Sequence, residues 1–166
     1  FLAFVPNQLD GRTQIVLRYL MRRPSAKSDR SGYIYALQLA DRARPELVHI
    51  KVGRTNDIAR RLAQHRRRCP SFKPSLLGRY PWYTGPDLIP YCDRVERLVH
   101  VELSELAAKS YPPGRNAPRA RCADCGSKHV EIFTFKRLKG TNSGLEWSLI
   151  VRPVVERWTR FASQLV

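Results

Sequence analysis

Four cysteines (Cys69, Cys92, Cys122, Cys125) and four histidines (His49, His65, His100, His129) are the side chains here best suited to hold a metal. Cys122 and Cys125 form a C-x-x-C followed by Gly126, a spacing that lets one tight turn present two thiolates, as a zinc knuckle does. A structural Zn2+ needs two further ligands. Cys69 and His100 are expected to supply them, with Cys92 and His129 in reserve. A redox pair or an incidental pair is the other reading of a lone C-x-x-C. Disulfides are the poorer one, because nothing in the chain indicates secretion. A reducing, intracellular compartment, the nucleus among those compatible, leaves thiols free for metal.

The second chemistry is phosphate binding. Thirty Lys and Arg against 14 Asp and Glu give a net charge of +16, and Arg outnumbers Lys 23 to 7. Arg makes planar, bidentate contacts with phosphate, so the expected partner is nucleic acid, DNA ahead of RNA. Between Lys51 and Arg79 nine basic residues face one acid, Asp57, a net +8 that carries half of the excess. Arg54, Arg60, His65, Arg67, Arg68 and Lys73 are the expected DNA contacts; a solvated helix face is the blander alternative. No run of 18 apolar residues occurs, and the opening F-L-A-F-V-P is too short for a span, so no membrane partner is expected. A chain that starts at Phe1 suggests a piece of a longer one, whose other domains are then further candidate partners.

The elements that must position these groups follow from periodicity. G-Y-I-Y-A-L-Q-L and L-V-H-I-K-V-G-R-T, either side of a polar loop, read as a β-hairpin. Alternation puts Tyr33 and Tyr35 on one face, and on the second strand His49, Lys51 and Gly53 together, so the tyrosines and Lys51 can meet over one surface. Half-buried sheet tyrosines with wet hydroxyls are the structural alternative. After Gly53 the period turns helical, with Thr55 or Asn56 as the cap and Pro70 ending the helix after Cys69. Arg61, between Ile58 and Leu62, can lean back onto the sheet. L-L-G-R-Y-P-W-Y can supply a third strand.

A second helix runs from near Asp93, with Val95, Leu98, Val99, Leu103 and Leu106 as its apolar stripe. Glu96 and His100 share a face at its border, four residues apart. With Asp93 as N-cap, Glu96 could instead close a capping box. Residues 110–121 form a Pro-rich basic loop, V-E-I-F-T-F is strand-like, and Val154, Val155, Trp158, Phe161, Ala162 and Leu165 mark a closing amphipathic helix. The expected organisation is a helical arm and linker over 1–31, then one domain over 32–166.

Y-I-Y at 33–35, K-V-G at 51–53 and Arg61 in the following helix resemble the GIY-YIG endonuclease superfamily. Within it, K-V-G-R-T, V-E-R-L-V-H, C-x-x-C-G and H-V-E-I-F resemble the branch named after a T5 phage DNA-binding domain, and among those the fungal, meiotically up-regulated group. The resemblance spans about residues 31–135. It implies a small α/β (α+β) domain, a three-stranded antiparallel sheet flanked by helices, here with a zinc knuckle. It also implies divalent-metal-dependent hydrolysis of DNA phosphodiesters. In that scheme the first-motif Tyr, here Tyr35, readies a water, Arg61 stabilises charge on the phosphoryl group, and Glu96 holds one Mg2+ or Mn2+. Two positions depart from the pattern. Lys51 stands where the second-motif Tyr would be, and Tyr33 stands in the slot of the first-motif Gly; both join the candidate catalytic set. The late Asn of some members has only Asn142 as a counterpart. Three functions stay open: a metal-dependent endonuclease, a catalytically silent DNA-binding module of the same fold, and a zinc-organised protein-interaction domain.

Overall fold

The computed structural model of the chain describes residues 2–83, 85–112, 121–139 and 144–166. Asn142 and most of the Pro-rich basic loop lie outside the described residues. The elements in order are α1 (Gly11–Arg22), β1 (Tyr33–Leu39), β2 (Leu47–Thr55), α2 (Ile58–Arg68), β3 (Ser75–Tyr80), α3 (Cys92–Ser110), β4 (Ile132–Lys136) and α4 (Arg152–Ser163). A π-helical turn, Trp147–Val151, leads into α4.

The four strands form one antiparallel sheet in the order β3-β1-β2-β4. This corrects the expected three strands. The segment V-E-I-F-T-F does not end as a loose extension but pairs with the outer edge of β2, from Leu47↔Lys136 to Lys51↔Ile132. That pairing satisfies backbone groups that would otherwise be orphaned, and it buries Phe133 and Phe135 in the core.

Strand alternation splits the sheet into two faces. Ile34, Ala36, Val48, Ile50 and Val52 point into the main core, where α3 and α4 contribute Val95, Leu98, Val99, Leu103, Val155, Trp158 and Phe161. The arm belongs to the same core: Val5, Leu9, Leu17 and Met21 pack there, and Asp10 caps α1 through a 2.9 Å bond from the Thr13 amide. Glu102, buried on α3, accepts from Trp158 Nε1 at 2.8 Å and from Arg157, tying α3 to α4. The opposite sheet face is smaller. Tyr35, Leu37 and Leu39 there meet Ile58 and Leu62 of α2 and Phe72.

Helix starts differ from the sequence expectation. Thr55 is still the last residue of β2, so its hydroxyl bonds the Asp57 amide, and Asp57, not Thr55 or Asn56, caps α2 by accepting from the Arg60 amide at 2.9 Å. On α3 the first-turn amides of Asp93 and Arg94 are met from outside the helix by the Asp29 carboxylate, at 2.8 and 3.1 Å. Glu96 is thereby freed from the capping box that its spacing allowed. Among the described residues, no helix is long and apolar enough to cross a membrane.

Candidate active site and metal centre

β4 stops pairing at Lys51, so the outer edge of β2 is open beyond it. The Val52 carbonyl there is satisfied by a side chain, His100 Nε2–H donating at 2.9 Å, while the Val52 amide donates to the Glu131 carbonyl at 3.0 Å. Through this gap α3 reaches the face that carries Tyr35. The result is a cleft of about 740 Å³ lined by Tyr35, Lys51, Gly53 and Arg54 from the hairpin, by residues of α2 and α3, and by His129 to Glu131. Arg61, Gln64, His65 and Arg68 line it from α2, spaced as one helical face (i, i+3, i+4, i+7). Glu96 and His100 line it from α3, one turn apart.

Tyr35 is the buried end of the cleft. Its hydroxyl lies 2.8 Å from His65 Nε2, and its ring lies over the bare backbone of Gly53, its cross-strand partner. A Cβ at Gly53 would stand 2.6 Å from that hydroxyl, so glycine is what lets the phenol lie down there. Burial pushes the Tyr35 phenol above its usual range, with Arg61 opposing. Burial, then the charges of Lys51 and Arg61, push His65 down to about 4, which leaves it neutral at pH 7.

Lys51 is buried and ion-paired with Glu131, which sequence reasoning missed. Burial alone would raise Glu131, and the hydrogen bond and charge of Lys51 outweigh it, leaving its carboxyl below the usual range. On the other wall burial pushes Glu96 above the usual carboxylate range, opposed by His100 and Arg54; Glu96 Oε2 lies 3.2 Å from Arg54 Nε. Arg54 also pairs with Asp93.

The cleft therefore gathers Tyr35, Lys51, Arg61, Glu96, Arg54, His65, Arg67 and Arg68, with five Lys or Arg against two Glu. Tyr33 is not part of it. Two residues along β1 from Tyr35, its ring is covered by Arg79 of β3, whose guanidinium carbon is 5.6 Å from the ring centroid. Arg60 and Lys73 also lie outside and are exposed, Arg60 bonded to Asn56.

Glu96 brings a partly buried carboxylate to the cleft wall, where Arg54 pairs with it. The Arg54 backbone also hydrogen-bonds that carboxylate.

The sulfur ligands converge elsewhere, against the C-terminal end of α2. Cys69, Cys122, Cys125 and His129 place their ligand atoms within 4.8 Å of one another. Cys69 Sγ is 3.8 Å from Cys122 Sγ and 3.6 Å from His129 Nε2, and Cys125 Sγ is 3.4 Å from that same nitrogen. A tetrahedron with Zn–S of about 2.3 Å and Zn–N of about 2.0 Å has edges of about 3.8 Å (S···S) and about 3.5 Å (S···N), so the group can hold a metal ion such as zinc. Burial pushes Cys69 up to about 12, whereas the Ser127 backbone holds Cys125 down to about 6; the Cys125 thiol ionises readily, and a cation would favour the ionised form of Cys69.

His129 takes the place expected for His100. The apolar stripe of α3 turns His100 onto Phe133 and the Val52 carbonyl, away from the knuckle. Cys92 is likewise excluded, buried beneath Gly32 on α3. The signal for His129 was its spacing: C-x-x-C-x-x-x-H keeps three ligands in one loop. Glu131 had no comparable signal, since a carboxylate at a strand edge is commonplace.

Residues 47–161 match the family described as Meiotically up-regulated gene 113. No curated protein and no solved structure matches the chain. From β2 into α4, well over half of its length, the sequence follows that family's pattern, and the chain belongs to the Meiotically up-regulated gene 113 family.

Proposed function

We propose that the chain is a metal-dependent nuclease of the GIY-YIG type, acting on DNA phosphodiesters in the cleft at Tyr35. The observation that carries this reading is the convergence of a phenol on a neutral imidazole, Tyr35 on His65 at 2.8 Å, with Arg61 and Glu96 across one basic cleft. A phenol held protonated cannot by itself remove a proton from water. With His65 as the tautomer protonated on Nδ1, Nε2 takes the phenolic proton as the Tyr35 oxygen takes one from the attacking water, whose oxygen bonds to phosphorus while the ester P–O bond breaks and the leaving alkoxide takes a proton from solvent. Arg61 stabilises charge on the phosphoryl oxygens, and Lys51, an ammonium held by Glu131, donates to a phosphate oxygen. Glu96 would hold a divalent cation, which would supply Lewis acidity at the phosphoryl group.

The test is incubation of the purified chain with Mg2+ or Mn2+ and duplex, nicked and branched DNA, with RNA alongside. Tyr35→Phe and Glu96→Gln are each expected to cut roughly 10²-fold more slowly than the parent. The reading fails if no DNA is cut, or if both variants cut at the parent rate. A silent DNA-binding module is the second reading, favoured by the tying of Lys51 to Glu131. It predicts salt-dependent binding with no cutting, unaffected by Tyr35→Phe.

A further inference from the structure

Beside the cleft, on the face of the sheet that carries Tyr35, Tyr33 and Arg79 have no part in the chemistry above, and Arg79 leads to two exposed aromatics after β3. Tyr33 is two residues from Tyr35 on β1, about 7 Å along the strand. Arg79, which pairs in register with Tyr35, lays its guanidinium over the Tyr33 ring. Arg79 Nη2 also donates to the Trp82 carbonyl at 3.3 Å, which ties the segment after β3 to this spot. Trp82 and Tyr83 then stand edge to face, centroids 5.5 Å apart and planes at 86°.

Trp82 is 69% exposed and Tyr83 41% exposed. The other two tryptophans, Trp147 and Trp158, are buried in the core, so the exposure is particular to this site. A solvent-facing indole costs apolar surface that a soluble domain ordinarily buries. What an indole, a phenol and a guanidinium plane share is a flat face that stacks on a nucleobase, and an Arg beside them adds attraction for the adjoining phosphate. Bases inside a duplex already stack on each other and offer no free face; an unpaired base does.

We propose that Trp82, with Tyr83 and Arg79, stacks on an unpaired base next to the phosphodiester held at Tyr35, so that the preferred substrate is DNA carrying a single-stranded segment beside a duplex. This rests on the nuclease reading for the location of the cut, though not for the stacking. Tyr33 thereby has a role in place of the catalytic one expected for it: it supports Arg79 from below.

The experiment uses the Tyr35→Phe chain without added Mg2+ or Mn2+, so that binding is read with no cutting, and two loop-free duplexes of the same sequence, one blunt and one with a single-stranded overhang. The overhanging duplex is expected to quench tryptophan fluorescence and to bind more tightly. Trp82→Ala is expected to abolish the quench and weaken that binding about tenfold, leaving the blunt duplex unchanged. Trp82→Phe, which keeps a stacking face, is expected to recover most of the affinity. The inference is overturned if Trp82→Ala binds the overhang like its parent, or loses both duplexes equally. Because cutting is measured separately in the parent chain, an inactive chain with an intact Trp82 effect refutes only the nuclease reading. The converse pattern refutes only the stacking.

Discussion

Glu96 holds a carboxylate largely out of water, and the Arg54 guanidinium paired with it is 45% exposed and shared with Asp93. Burial accordingly raises the carboxyl above its ordinary range despite the opposing cations. The sign for stability follows. A carboxyl that binds its proton more readily folded than unfolded makes the folded state lose stability as pH rises from the ordinary range through the folded value. The penalty therefore grows as pH rises above the ordinary carboxylate range. A group that costs stability while lining a cleft is a candidate functional residue. Glu96→Gln is therefore predicted to melt no lower than the parent at pH 7, because an exposed Arg pair returns little. The difference should shrink towards pH 5. Added Mn2+ should raise the melting temperature of the parent alone, since binding to the folded state adds stability by mass action. Thermal melts of both chains at the two pH values, with and without Mn2+, are the check. A variant that melts lower at pH 7, or that responds to Mn2+ like its parent, contradicts this account of Glu96.

At the scale of elements, the hairpin, α2 and α3 are readable from the sequence because each carries its own period: alternation in Y-I-Y-A-L and V-H-I-K-V, and helical spacing in the Arg-rich run and in the stripe from Val95 to Leu106. What no period contains is the register between strands. The pairing of Tyr35 with Gly53 depends on both strands and on the loop between them, and it is this pairing that aims the phenol at His65. Helix caps were misread for a related reason, since Asp29 caps α3 from more than 60 residues away. The importance of the pairing can be tested by filling the space that Gly53 leaves. In Gly53→Ala the new Cβ would lie 2.6 Å from the Tyr35 hydroxyl and 2.8 Å from the carbon that bears it, so the ring must move off His65. Overpacking of this kind costs about 1–3 kcal/mol, and loss of the aligned proton acceptor should slow cutting by roughly 10²-fold. Gly11→Ala, with nothing within 4 Å of its Cβ, is the control for an added methyl. Full activity in Gly53→Ala would mean that the phenol is aimed by something other than this contact.

For the molecule as a whole, contacts between distant residues matter most, and they are what one sequence discloses least. Cys122 and Cys125 were legible as a pair from their spacing, and Cys69 as a partner at the end of α2. The choice between His100 and His129 required knowing that α3 buries one face against the sheet and carries His100 with it. The fourth strand was recognisable as a strand, yet only its pairing with β2 made it part of the sheet. The Cys3His group joins these distant parts. Cys69 follows the last turn of α2, the helix of Arg61 and His65, and His129 adjoins Val130 and Glu131 on the opposite wall of the cleft. A metal there would tie both walls, across 53 to 60 residues of sequence, at a point where the apolar contacts of α2 are confined to Ile58 and Leu62 near its start. Zinc should therefore be stoichiometric in the purified chain. Its removal by a chelator should speed hydrogen exchange in the last turn of α2 and around His129 far more than in α3 and α4, whose core is independent of the cluster. Cys69→Ser and His129→Ala should lose zinc and show the same local loosening, whereas His100→Ala should retain it. Metal content by elemental analysis and exchange by mass spectrometry decide the matter. Zinc that persists in His129→Ala and vanishes in His100→Ala, or exchange that rises evenly through α3 and α4, would overturn this assignment.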